Sequence, residues 1–325
     1  MDSAARQALV AGAGGFIGGH LVARLLNEGY PVRAVDRKPL DRWYQVHPAA
    51  ENVVADLSLP EPAGQAVTGV DDVYNLAADM GGIGYIEQNK ARCMLSVLIN
   101  THLLLASTEA GVDRFFFSSS ACVYAAQHQD TPEVEALREE LAYPAMPEDG
   151  YGWEKLFGER MCRHFAEDFG LRVRVARLHN VYGPHGTWRG GREKAPAAIC
   201  RKVAAAVLAG SGELAVWGDG EQTRSFTYVD DCVEGIRRIM ESDLATPVNL
   251  GSSELVTVNQ LITLVESIAG VSLERRHDLS APQGVRGRNS DNTLISEKLG
   301  WEPAIPLAEG LKQTYVWIRD RLEGD

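Results

Sequence analysis

The run Ala8-Leu9-Val10-Ala11-Gly12-Ala13-Gly14-Gly15-Phe16-Ile17-Gly18 decides the fold. Its first residues are small and apolar and read as a short buried strand, and the residues from Phe16 to Glu28 carry a helical apolar period. Glycines at 12, 15 and 18 stand between the two, where the chain turns sharply from strand into helix. Such glycines let the backbone come close to a diphosphate, whose charge is held by the free N–H groups and the dipole of the helix N-terminus. Gly-rich turns are common, so the reading depends on the rest of the chain.

Beyond Glu28 the chain alternates short β-branched runs with longer amphipathic ones, the pattern of βαβ units in a parallel sheet. Strands are predicted at Ala8–Ala11, Pro31–Asp36, Asn52–Val54, Asp72–Leu76, Arg114–Ser118 and Val173–Arg177. Helices are predicted at Phe16–Glu28, Asn89–Ala110 and Tyr151–Phe169, with an amphipathic one near Leu307–Arg321. Pro and Gly cluster over Tyr182–Gly191 and mark a long loop after the sixth strand. The expected architecture is α/β: a doubly wound parallel sheet of the Rossmann type with a smaller C-terminal α/β substrate lobe. The nucleotide-binding domain would take residues 1–177 and recover residues 227–250, and the lobe would take 178–325.

Two further constellations agree with the glycine turn. Asp36 closes the second strand, where a carboxylate accepts both ribose hydroxyls of adenosine and repels a 2′-phosphate, so NAD is expected rather than NADP. Phe16 and Ile17 belong to the same turn, and Asp56-Leu57 after the third strand would reach the adenine. Tyr151-Gly152-Trp153-Glu154-Lys155 puts a phenol and an ammonium on one helix face, downstream of a strand ending Ser118-Ser119-Ser120. This set resembles the hydride-transfer centre of the short-chain dehydrogenases, as the glycine spacing resembles theirs. There Tyr151, its pKa lowered from about 10 by Lys155 and the cofactor, would take an alcohol proton. Ser120 would hold the same oxygen, and Lys155 the nicotinamide ribose.

Composition narrows the partners. The 325 residues carry a formal charge of -12, which disfavours nucleic acid. No apolar run is expected to approach the roughly 20 residues of a membrane span. A strand starting by Ala8 leaves no room for a signal peptide, so a cytoplasmic protein is expected. Positive charge gathers in two islands, Arg189, Arg192, Lys194, Arg201 and Lys202 in one, Arg286 and Arg288 in the other, which suggests a phosphate-bearing ligand. The five cysteines form no C-x-x-C pair, and Cys93, Cys162, Cys200 and Cys232 read as small buried apolar residues in helices. No metal site is expected.

Longer matching runs narrow the resemblance. "AADMGG" (77–82), "SSACVY" (119–124), "RLHNVYGP" (177–184), "GGREKAP" (190–196), "WGDGEQTRSF" (217–226) and "VRGRNSDN" (285–292) are similar to the GDP-mannose 3,5-epimerases, a family of extended short-chain dehydrogenases. The resemblance implies oxidation at C4 of the sugar, inversion at C3 and C5 of the resulting ketone, and reduction back, giving GDP-L-galactose and GDP-L-gulose. Cys122 and Lys194 match the two proton handlers. Gly81, Ser120, Ala121, Tyr151, Asn180, Glu193, Ala195, Lys202, Gln222, Thr223, Arg224 and Arg288 would line the nucleotide-sugar, with Arg288 clamping its pyrophosphate. A homodimer is implied as well. A sibling epimerase or dehydratase acting on another nucleotide-hexose is the alternative.

Overall fold

The computed structural model describes residues 6–281 and 284–324. Its centre is a seven-stranded sheet in which every neighbouring pair is parallel. Six strands come in chain order: β1 (Ala8–Ala11), β2 (Val32–Asp36), β3 (Glu51–Val54), β4 (Asp72–Asn75), β5 (Arg114–Ser120) and β6 (Arg172–Leu178). The seventh, Val248–Leu250, pairs with β6. Across the sheet the order is Val248–Leu250, β6, β5, β4, β1, β2, β3. Winding reverses between β1 and β4, so a crevice opens beyond the carboxyl ends of those two strands, where open α/β sheets take their ligands. Each of the first six strands falls within two residues of its predicted bounds. β5 runs on to Ser120 because Ser119 and Ser120 pair with Arg177 and Leu178 of β6.

Strands buried on both faces read as continuous apolar runs, and Phe115, Phe116 and Phe117 of β5 are all fully covered. Helix α1 (Phe16–Asn27) follows β1 and turns Leu21, Val22 and Leu25 inward. The segment after residue 227 does re-enter the sheet region: helix Val229–Glu241 lies against α1, and its chain continues into Val248–Leu250. Helices Ala195–Ala209, Val258–Ala269 and Leu307–Gly324 pack on one another beside it. Their apolar core is continuous with that of the sheet, through Val229, Ile236 and Ile199.

Two expectations need correcting. The helix predicted over Asn89–Ala110 is two helices, Lys90–Met94 and Ser96–Ala110, meeting at Leu95. Residues 90–110 are also long and apolar enough to cross a membrane by length and composition, contrary to the reading that no run approached that length. In the fold, Ser96–Ala110 packs between helices Pro60–Val67 and Tyr151–Phe169 and buries Leu103 and Leu104, as a core helix does. Its apolar character serves that packing.

Beneath the crevice lies a buried ion pair. Arg177 on β6 donates from Nε and Nη2 to the two carboxylate oxygens of Glu159 at 2.9 and 2.7 Å. Ser119 of β5 donates to the same carboxylate at 2.5 Å, and Arg177 also donates to Tyr124 at 3.1 Å. Tyr124 in turn donates to Asn249 at 2.7 Å. Replacing Arg177 by methionine leaves the Glu159 charge buried without its partner, which costs about 3–5 kcal/mol. Urea unfolding should show that loss, and the double variant Arg177→Met/Glu159→Leu should recover most of it.

Candidate active site

The glycine turn fits a dinucleotide on geometric grounds. Gly12 has φ +84°, and a Cβ there would stand 2.9 Å from the Ala77 nitrogen, across the β1–β4 switch point. A Cβ on Gly18 would strike the Gly12 carbonyl and come within 2.8 Å of its carbon. The α1 N-terminus begins at Gly15 without a side-chain cap, which leaves its N–H groups for a ligand. Ile17 packs into the core and Phe16 sits edge-on to His20, so both support the turn from within. Asp36 is nearly buried at the end of β2. Its Oδ1 accepts from the Lys38 backbone at 2.9 Å, and Lys38 Nζ reaches the Gly14 carbonyl at 2.6 Å. Asp56 accepts from Ser58, which holds its carboxyl below the usual carboxylate range, and Leu57 is buried beside it.

The chemistry-bearing residues converge beyond β5. Ser120 ends the strand and its hydroxyl accepts from the Cys122 backbone at 3.2 Å. Ala121 is buried in the following turn, and Cys122 and Tyr151 belong to one buried cluster with Cys93 and Ile86. Gly152 lets the helix press on that turn, since a Cβ there would strike the Cys122 carbonyl. Lys155 Nζ stands 4.8 Å from the centre of the Phe117 ring and 5.6 Å from that of Tyr151, and lies 3.6 Å from Glu154. In the protein alone, burial pushes Tyr151 well above the ordinary tyrosine value, the nearby Cys122 and Glu154 add to it, and the Ser120 hydrogen bond opposes them. Burial likewise pushes Cys122 up to about 11 and Lys194 down. Burial thus favours the neutral form of all three groups.

Lys194 precedes helix Ala195–Ala209, whose first residue Ala195 is half-buried, and it senses the Cys122 sulfur across the site. Its ammonium makes no hydrogen bond or ion pair among the described residues. The other island cations are tied internally: Arg192 to Asp79 at 3.1 Å, Arg201 to Glu193 at 3.1 Å and Arg286 to Asp219 at 3.0 Å. These three island cations are thus neutralised by acids, two of which, Asp79 and Asp219, lie outside the islands. Positive charge in the site itself comes from Lys194, Arg224 and Arg288. Burial and the neighbouring Arg288 draw Arg224 down to about 9.

Several expected ligand contacts are occupied otherwise. Lys202 donates to the Ala215 carbonyl at 2.8 Å and stands 5.7 Å from the Trp217 ring centre, away from Cys122 and Tyr151. Glu193 closes its own loop by accepting from Gly191 at 2.7 Å, and Thr223 donates to Pro132 at 2.6 Å. Arg288 is no open clamp. It donates to Glu148, to Gln129 at 2.5 Å and towards the Cys122 sulfur at 3.8 Å. Others remain available. Gln222 holds a buried amide oxygen with no protein partner, and Asn180 takes φ +37° on the turn after β6 with its amide on Ser225 at 3.1 Å. Gly81 has no room for a Cβ, which would lie 2.9 Å from Tyr85.

Three contributors escaped the sequence reading. Glu148, three residues before Tyr151, faces both Cys122 and Arg288. Trp43 lies under the turn, where a Cβ on Gly14 would meet its indole at 2.6 Å. Asp79, inside the quoted "AADMGG" run but given no role there, takes ion pairs from Arg37 and Arg192, each at 3.1 Å, and a hydrogen bond from Tyr85 at 2.9 Å. Only the run containing Asp79 was a usable signal.

Residues 8–251 match the NAD dependent epimerase/dehydratase family. Over 315 residues the chain is 46% identical to GDP-mannose 3,5-epimerase 1 of Oryza sativa subsp. japonica, covering 97% of this chain and 82% of the rice protein. Among solved structures, it resembles UDP-glucose 4-epimerase with UDP-glucose from Thermotoga maritima at TM-score 0.86 and 30% identity, over 97% of this chain and 99% of that one. The Bacillus cereus UDP-glucuronic acid 4-epimerase in complex with UDP-glucuronic acid and NAD matches at TM-score 0.83 and 26% identity, over 97% and 99%.

The glycine cradle makes a direct prediction. Gly18→Ala forces the turn open, and overpacking of about 1–3 kcal/mol corresponds to roughly ten- to hundredfold weaker NAD binding by titration calorimetry. The circular dichroism of the sheet and helices should be retained.

Proposed function

This chain belongs to the NAD dependent epimerase/dehydratase family, and on that premise we propose that it inverts GDP-mannose at C3 and C5 through a transient 4-keto sugar. One observation carries the reading: Cys122 and Lys194 face a buried centre that already holds Ser120, Tyr151 and Lys155. Oxidation and reduction at C4 need only the latter three. A thiol and an amine against the same ring are what inversion at neighbouring carbons requires.

Gly12, Gly15, Gly18 and Asp36 would hold NAD, which when bound supplies reversible oxidation at C4 and a positive charge beside the phenol. Tyr151 then takes the C4 hydroxyl proton and later returns it, while Ser120 holds the oxygen. The ketone acidifies the hydrogens on C3 and C5. At each carbon one of the pair Cys122 and Lys194 removes the proton, and the other delivers one to the opposite face. Lys194 and Arg224, beside the Arg288–Glu148 pair, are the cations that a diphosphate would meet. The 46% identity to the rice epimerase supports the guanine nucleotide. The likeness to a UDP-glucose epimerase keeps another nucleotide-hexose as the second reading.

The same reading makes the chain a cytoplasmic homodimer that engages neither membrane nor nucleic acid. Leu98 and Leu105 on helix Ser96–Ala110, with Trp153 and Phe157 on helix Tyr151–Phe169, are exposed on two helices that pack together, and a second copy would cover them.

GDP-mannose incubated with the protein in deuterated water should gain deuterium at both C3 and C5, read by mass spectrometry and NMR. Uptake from a UDP- or dTDP-hexose instead would move the substrate to the second reading. Cys122→Ala and Lys194→Ala should each slow epimerisation about 10²- to 10⁴-fold. Both should still form the 4-keto sugar, trapped by borodeuteride as label at C4. Tyr151→Phe should abolish trapping and exchange together.

A further inference from the structure

Glu148 lies outside the residues that handle the sugar, yet its carboxylate is enclosed where they meet. Its backbone N–H donates to the Cys122 carbonyl at 2.9 Å, which ties the loop before Tyr151 to the turn carrying the thiol. Its carboxylate pairs with Arg288, and the same guanidinium points Nη1 at the Cys122 sulfur at 3.8 Å. Gln129 fixes the remaining edge of that guanidinium through Nε at 2.5 Å. A buried arginine against a sulfur stabilises the thiolate. A carboxylate paired with that arginine cancels its charge beside the sulfur.

We propose that Glu148 is a positioning residue that holds Cys122 in its thiol form, so that Cys122 enters the reaction as a proton donor and Lys194 as the acceptor. The inference rests on the proton-handling pair assigned above. When Lys194 takes a proton from carbon and the thiol gives its own to the opposite face, Cys122 is left a thiolate beside Glu148. Repulsion between the two favours reprotonation, in which water gives the thiolate a proton and takes the one that Lys194 gained, so that donor and acceptor are both restored. Besides Glu148, Cys122 faces Ser120 on its own turn, Tyr151 on the following helix, Lys194, Arg224 and Arg288. Glu148 is the carboxylate paired with the guanidinium at the sulfur. Burial adds to its effect on the thiol, and Arg288 opposes it.

The test reads the thiol directly. The rate of Cys122 alkylation by iodoacetamide, followed by peptide mass spectrometry across the pH range, gives its ionisation midpoint without any substrate. Wild type should show a midpoint well above the roughly 8.5 of a free thiol. Glu148→Gln should lower it by about 1–3 pH units, and Glu148→Asp should keep it near wild type. The alkaline limb of deuterium exchange into GDP-mannose should move down with it in the glutamine variant. A wild-type midpoint at or below that of a free thiol overturns the inference, even if the glutamine variant does not fold. So does an unchanged midpoint in a folded Glu148→Gln protein. A midpoint that responds to Glu148 in a protein that exchanges nothing into GDP-mannose upholds this role and overturns the substrate reading alone.

Discussion

The pair between Arg177 and Glu159 is the constraint on which the site depends. Glu159 belongs to the helix that carries Tyr151 two turns and Lys155 one turn earlier, and Arg177 belongs to the strand beside the one that ends in Ser120. Their two hydrogen bonds, with Ser119 on the same carboxylate, set the height and rotation of that helix over the sheet. Apolar packing alone tolerates a sliding helix, but a forked guanidinium against a carboxylate tolerates little. The network continues through Tyr124 to Asn249, whose side chain also meets His179 at 3.0 Å. The returning strand Val248–Leu250 is thereby locked to the turn after β5. Burial pushes His179 down to about 3, so this joint carries no extra cation to disturb the arginine.

Above that joint, burial sets the chemistry. It raises an acid such as Tyr151 or Cys122 and lowers a base such as Lys194, so burial shifts each of them towards its neutral form. Charge is supplied in matched form, Arg288 against Glu148 and Lys155 against Glu154. A ligand that brings its own charge disturbs such a balance more than it would an exposed, screened one. Lys194 stands apart as a cation without a partner among the described residues.

The parts of this picture that depend on short-range pattern were legible in the sequence. Glycine spacing, the carboxylate ending β2 and the Tyr-x-x-x-Lys interval are local, and each of the first six strands was located to within two residues. The break at Leu95 was not, because both halves of Asn89–Ala110 keep helical composition and only tertiary packing parts them. Contacts set by long-range partners were not legible. Nothing near Lys202 announces its bond to the carbonyl of Ala215, thirteen residues on. Arg288 and Glu148 are 140 residues apart, and nothing in either neighbourhood announces the other. Trp43 is equally silent, an aromatic whose place under Gly14 comes only from the folded turn.

Asp79 joins parts of the chain that are distant in sequence. Arg37 comes directly after Asp36 at the end of β2, and Arg192 belongs to the loop leading to Lys194, yet they reach the two oxygens of one nearly covered carboxylate. Arg192 also stacks 3.7 Å from the Tyr85 ring centre, and the Gly82 N–H donates to the Arg192 carbonyl at 3.0 Å. The two arginines are partly solvent-facing, and exposed pairs of this kind contribute only about 0–1 kcal/mol each. Together they tie the end of β2 and the loop leading to Lys194 to the segment after β4. Because screening weakens exposed pairs, that three-way tie loosens as the ionic strength of the medium rises.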